Sequence, residues 1–165
     1  MMVPIPDDYG HSRAMHPVAE ASELIEAGRT ADGHKIQLAP EAAEAWARMR
    51  AAADRAGHRI ELISGFRSIH AQNEIIKRKL ASGLSLESIL RVNAAPGFSE
   101  HHSGKAVDLA AAGMPPLTEA FSGTPAFAWL QEHASGFGFT LSYPRGNPHG
   151  ISYEPWHWLY SDPGN

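Results

Sequence analysis

Between residues 40 and 64 the chain changes its hydrophobic period, and that change restricts the available folds more than any other feature. Residues 42–56 are alanine-rich and helical by propensity, with Trp46, Met49 and Ala53 recurring at helical spacing. Pro40 stands where a first helical turn tolerates proline, and Gly57 follows as a stop. Arg59-Ile-Glu-Leu-Ile-Ser64 then mostly alternates polar and apolar residues, the pattern of a half-buried strand, until Gly65 breaks it.

The rest of the chain shows no regular strand–helix alternation. Residues 1–16, with Pro4, Pro6 and Gly10, read as an irregular lead-in. Residues 17–27 are expected to be helical, burying Val18, Leu24 and Ile25 and ending at Gly28. Further helices are expected over residues 70–80, 86–92 and 126–134, and strands over 105–109, 140–143 and 156–160. Residues 93–103 read as a loop punctuated by Pro96 and Gly97. Helices first, then strands mixed with helices, predict an α+β fold with a small, mainly antiparallel sheet flanked by helices. No repeat or linker interrupts the 165 residues, so a single domain over 1–165 is expected.

Composition excludes several function classes. A formal charge of −4, with 14 scattered basic residues, gives no stripe for nucleic acid or anionic lipid. There are no cysteines, which removes disulfides, thiolate metal sites and cysteine nucleophiles. No segment approaches the roughly 18–20 apolar residues of a membrane span, and no signal peptide is visible at the N-terminus.

Two short motifs hold the chemistry. Ser99-Glu-His101-His-Ser-Gly104-Lys-Ala106-Val-Asp108 offers an imidazole and a carboxylate, and Glu154-Pro-Trp-His157 adds a second imidazole with a carboxylate three residues before it. Zinc suits such nitrogen and oxygen donors: three protein ligands leave a fourth position for water, whose pKa the metal lowers to about 7. A hydrolase also needs a base near that water, and Glu154 is suitably placed in sequence for it. The helical His-Glu-x-x-His arrangement is absent.

Ser99-x-His101-x-x-Gly104-x-Ala106-x-Asp108 followed by Glu154-x-Trp156-His157 resembles the zinc D-alanyl-D-alanine carboxypeptidases, including the vancomycin-resistance enzymes. Ser64-Gly65-Phe66-Arg67-Ser68 looks like that family's third signature, and the motif-bearing core spans about residues 60–160. The resemblance implies His101, Asp108 and His157 as ligands of one zinc ion per chain, and Glu154 as general base and proton shuttle. It implies that Arg67 binds the substrate carboxylate or polarises the scissile carbonyl, and that Ser99 hydrogen-bonds the peptide. It also implies a hedgehog-like α+β fold, peptidoglycan stem peptides or their precursors as partners, a monomer, and an extracytoplasmic place of action. Lys105 stands where some relatives carry an apolar residue, a departure that concerns the rim rather than the metal.

The leading expectation is hydrolysis of the terminal D-alanine of stem peptides. An arginine fork matches both oxygens of a terminal carboxylate, which favours a carboxypeptidase over an endopeptidase. The alternatives are an L,D-carboxypeptidase or an endopeptidase with the same zinc site, a zinc-binding module without turnover, and a metal-free interaction domain. His102, adjacent to His101 and pointing the other way, is expected behind the ligands or at the rim. His70, His149 and Tyr153 are weaker candidates for the pocket, and Trp156 for bracing His157.

Overall fold

The computed structural model describes residues 1–163. Its elements are α1 (Tyr9–Ser12), β1 (Ile25–Arg29), β2 (Lys35–Leu38), α2 (Pro40–Arg55), β3 (Ile60–Ser64), α3 (Ile69–Ala81), α4 (Leu86–Ile89), β4 (Ala106–Ala111), α5 (Pro125–His133), β5 (Phe139–Leu141) and β6 (His157–Tyr160). The expected α+β architecture is present. A four-stranded sheet in the order β3-β4-β6-β5 is antiparallel at every pairing, and β1 and β2 form a separate antiparallel pair.

Helix α2 forms as its sequence dictates. Pro40 occupies its first turn, and Ala42, Ala45, Trp46, Met49 and Ala53 make one buried stripe. That stripe packs into a core with Val107 and Leu109 of β4, Phe139, Trp158, and Phe127 and Leu130 of α5. Each buried Val, Leu, Phe or Met side chain there contributes about 1.5–3 kcal/mol by leaving water. The helix ends in a left-handed Gly57 at φ +85°. A second cluster, Val3, Tyr9, Ile76, Ile89, Leu90 and Ala95, sits beneath the lead-in. No helix among the described residues is long and apolar enough to cross a membrane.

The helix expected over residues 17–27 does not form. Residues 13–24 run irregularly, and Ile25, expected to be buried, is 45% exposed on β1. Tertiary partners claim the backbone there: Val18 N–H donates to Gly97 O at 2.7 Å and Ala21 N–H to His102 O at 2.8 Å. Asp32-Gly33, with Gly33 at φ +89°, closes a hairpin between β1 and β2, a turn signal that outweighs the apparent helical spacing. The lead-in also contains the helical turn α1, and α4 stops at Ile89 rather than continuing to residue 92.

Candidate metal centre

Three strands and one loop converge at an end of the larger sheet. Register sets Asp108 of β4 directly opposite His157 of β6, and Ser64, the last residue of β3, opposite Asp108 on its other side. His101 arrives on a 3₁₀ turn, Glu100–Ser103, capped by Ser99, whose Oγ accepts a hydrogen bond from His101 N–H at 3.3 Å. The turn leaves through Gly104 at φ +70°, where a Cβ would lie 2.8 Å from Ala39 N. The motif's glycine therefore meets two requirements, a left-handed backbone and a close approach to the start of α2.

The three residues meet around one point. Asp108 Oδ1 lies 3.3 Å from His101 Nε2 and 3.3 Å from His157 Nδ1. Each imidazole uses its other nitrogen as a donor: His101 Nδ1–H to Gly65 O at 2.7 Å, and His157 Nε2–H to the Glu100 carboxylate at 2.8 Å. Those bonds orient both rings and turn the remaining nitrogens toward Asp108. Asp108 Oδ1 is buried and has no hydrogen-bond partner. An unpaired buried oxygen costs about 1–3 kcal/mol, more if charged, and a cation held between the three residues relieves that cost. Donors about 2.0–2.1 Å from a tetrahedral zinc stand about 3.3–3.4 Å apart; Asp108 Oδ1 has that separation from each imidazole nitrogen, and the three donor atoms lie within 4.8 Å of one another, so the set suits zinc in donor type.

The surrounding charges follow from burial and proximity. Burial disfavours a charge on Asp108, yet the flanking imidazoles hold its pKa below the usual carboxylate range. Burial likewise opposes a proton on His157, but Asp108 and Glu100 outweigh it and raise the pKa to about 10. A metal held there would displace the proton from His157 Nδ1. Glu154 behaves differently. Its burial is the largest cause lifting its pKa to about 7, against the pull of His157. Its Oε2 lies 3.8 Å from His157 Nδ1, and its backbone N–H is fixed to Tyr143 O at 3.0 Å.

These residues form the floor of a pocket of about 340 Å³, also lined by Arg67, Ser99, Tyr143, Tyr153 and Trp156. Arg67 projects from the segment joining β3 to α3. Its Nη1 donates to Gln72 Oε1 at 2.9 Å, its Nη2 to Ser64 Oγ at 3.4 Å, and its backbone N–H to His101 O at 3.1 Å. Gln72 is itself anchored through Nε2 to Ala94 O at 2.7 Å. All six residues expected at the site, Arg67, Ser99, His101, Asp108, Glu154 and His157, line this one pocket.

His102 is fully buried behind the site, donating from Nδ1 to Arg67 O at 2.7 Å and accepting at Nε2 from Gly97 N–H at 3.1 Å. Tyr153 lines the pocket, whereas His149 lines a neighbouring cleft behind Tyr143. Lys105 lies outside the pocket lining and pairs with Glu41 at 3.5 Å. The aromatic ring against His157 is that of Tyr143, 4.8 Å between centroids.

The sequence motifs do not single out Glu100, Gln72 or Tyr143. Glu100 had a signal, since a carboxylate beside a ligand histidine is a common orienting partner. Gln72, on the first turns of α3 five residues after Arg67, had a weaker one, and Tyr143 had none.

Residues 35–163 match the family model described as VanY, D-alanyl-D-alanine carboxypeptidase. The protein YodJ of Bacillus subtilis is 35% identical over 133 residues, which cover 76% of this chain and 47% of that protein. The chain thus spans about half the length of that relative. The solved structure of the LD-carboxypeptidase LdcB is similar at 32% identity and a TM-score of 0.77, covering 86% of this chain and 69% of that one. A variant of the vancomycin-resistance D,D-pentapeptidase VanY, solved in complex with Zn(II), is similar at 27% identity and a TM-score of 0.68, covering 88% of this chain and 83% of that one.

Proposed function

The chain belongs to the VanY family of D-alanyl-D-alanine carboxypeptidases, and on that premise we propose that it removes the terminal D-alanine from peptidoglycan stem peptides, with one zinc ion per chain. The observation that carries this reading is the convergence of His101, Asp108 and His157 on the floor of a pocket whose walls present Glu154 and Arg67.

His101 Nε2, Asp108 Oδ1 and His157 Nδ1 would hold the metal. When bound, zinc supplies a Lewis acid and an acidified water. Glu154 takes the proton of the attacking water and delivers it to the amine that leaves, a role suited to a carboxyl with a pKa near 7 before metal binds. Arg67, steadied by Gln72 and Ser64, receives the substrate's terminal carboxylate in its planar fork and sets which amide bond lies over the site. Ser99 lines the same pocket and offers its hydroxyl to the peptide. Tyr143 packs on the His157 ring and holds the Glu154 backbone, fixing base and ligand relative to each other. The same proposal extends to a place of action outside the cytoplasmic membrane, where the stem peptides of an assembled wall lie.

A second reading keeps the machinery and changes the bond. The likeness to the LD-carboxypeptidase LdcB supports removal of D-alanine from a tetrapeptide instead. In both readings Glu154→Gln keeps the three donors and removes the base. The variant is expected to bind zinc as the parent does and to lose about 10²–10⁴-fold in kcat. Unchanged turnover by Glu154→Gln would remove Glu154 from the mechanism.

A further inference from the structure

Two loops form outer walls of the pocket, residues 92–94 after α4 and residues 151–153 before Glu154. Ser152 N–H donates to Arg91 O at 2.8 Å between them, and one side chain from the lead-in braces the bases of both. Arg13 Nη1 donates to Leu90 O at 2.6 Å and to Gly150 O at 3.4 Å, so its guanidinium bridges the base of one loop and the base of the other. The same guanidinium lies 4.8 Å from the centroid of the Tyr9 ring. The Tyr9 hydroxyl accepts a hydrogen bond from Ala95 N–H at 3.0 Å, next to the carbonyl that anchors Gln72. His149 Nδ1–H donates to Arg13 O at 3.1 Å, drawing the second loop onto the lead-in again. Gly150 fits beneath the guanidinium, where a Cβ would lie 3.2 Å from Arg13 Nη1.

We propose that Arg13, supported by Tyr9, is a positioning residue for peptide binding: it sets the spacing of the two pocket walls from a segment outside the family-matched residues 35–163. The lead-in would thereby be part of the substrate site without touching substrate. Glu154 and the three metal donors do not depend on this tie. Glu154 is held by Tyr143 O, His101 by Gly65 O, and Asp108 and His157 by their strand register. Loss of Arg13 should therefore loosen binding while leaving the chemical step in place. The proposal rests on this pocket being the peptide site, and its test is chosen to separate the two ideas.

Zinc-loaded wild type, Arg13→Met, Arg13→Lys and Tyr9→Phe are compared in stem-peptide kinetics and in amide hydrogen exchange. Arg13→Met is expected to raise KM about tenfold, the loss of a charge-assisted hydrogen bond, with kcat within about twofold of wild type. Arg13→Lys recovers part of that loss through the Leu90 carbonyl. Tyr9→Phe keeps the packed ring and tests the hydroxyl alone. In exchange, the amides of Ala95 and Ser152 speed up in Arg13→Met, while those of Asp108 and His157 do not. Unchanged exchange at both loops overturns the proposal whether or not the peptide is turned over. A lower kcat with unchanged KM assigns Arg13 to general stability and also overturns it. Failure of wild type to cleave any stem peptide counts against the proposed function and leaves exchange to decide the role of Arg13.

Discussion

Replacing Glu100 with alanine should weaken zinc binding although Glu100 is not itself a metal donor. Its carboxylate accepts the Nε2–H of His157 at 2.8 Å, which turns Nδ1 toward Asp108. Hydrogen bonds to a charged partner contribute about 1.5–3 kcal/mol. Losing the group that orients a metal-bound imidazole typically costs about 10–100-fold in affinity, which corresponds to about 1.4–2.7 kcal/mol. The two ranges agree. The Glu100 side chain is 24% exposed, so water can replace part of what the carboxylate supplied, and the expected loss lies near the lower end, about 10–30-fold. Glu100→Gln retains an acceptor oxygen and loses the charge, so it should lose less, below about tenfold. The assay is competition for zinc against a chromophoric chelator, with circular dichroism confirming that both apo variants fold. A zinc affinity for Glu100→Ala within twofold of wild type would refute the orienting role.

Two further expectations follow from the same geometry. Gly65→Ala places a Cβ 2.6 Å from Gln37 O and 2.8 Å from Leu38 Cδ2, beside the carbonyl that fixes His101. It should cost about 1–3 kcal/mol from overpacking and lower zinc affinity as well, which calorimetry and zinc titration would show. Chelation should lower the melting temperature of the wild-type protein. Zinc at 100 times its dissociation constant stabilises by about 2.7 kcal/mol, equivalent to about 5–11 °C for a chain of this size. A scan unaffected by chelator would place no metal among His101, Asp108 and His157.

Much of this site was legible because the chemistry is concentrated in short motifs. Ser99, His101, Asp108, Glu154 and His157 belong to two segments whose residue types imply a metal and a base before any fold is known. The strand patterns over residues 105–109 and 156–160 are likewise local, and the two strands pair in the register that sets Asp108 against His157. The failures were non-local. Val18 and Leu24 suggest a helix only while their backbone is assumed to bond within its own segment. Gly97 O and His102 O, more than 75 residues away, take the Val18 and Ala21 amides instead. Gln72 and Tyr143 are obscured for a similar reason, because nothing within their own segments records that α3 and the second residue after β5 face the same pocket.

Mass-spectrometric digestion of stem pentapeptide and tetrapeptide with zinc-loaded protein, beside a chelated control, decides whether the chain is a zinc D,D-carboxypeptidase. One alanine should be lost from the pentapeptide and none in the control. Loss from the tetrapeptide alone would move the scissile bond to the L,D linkage. Cleavage that persists in chelator, or no cleavage of either peptide by protein carrying one zinc per chain, would rule out the zinc carboxypeptidase function.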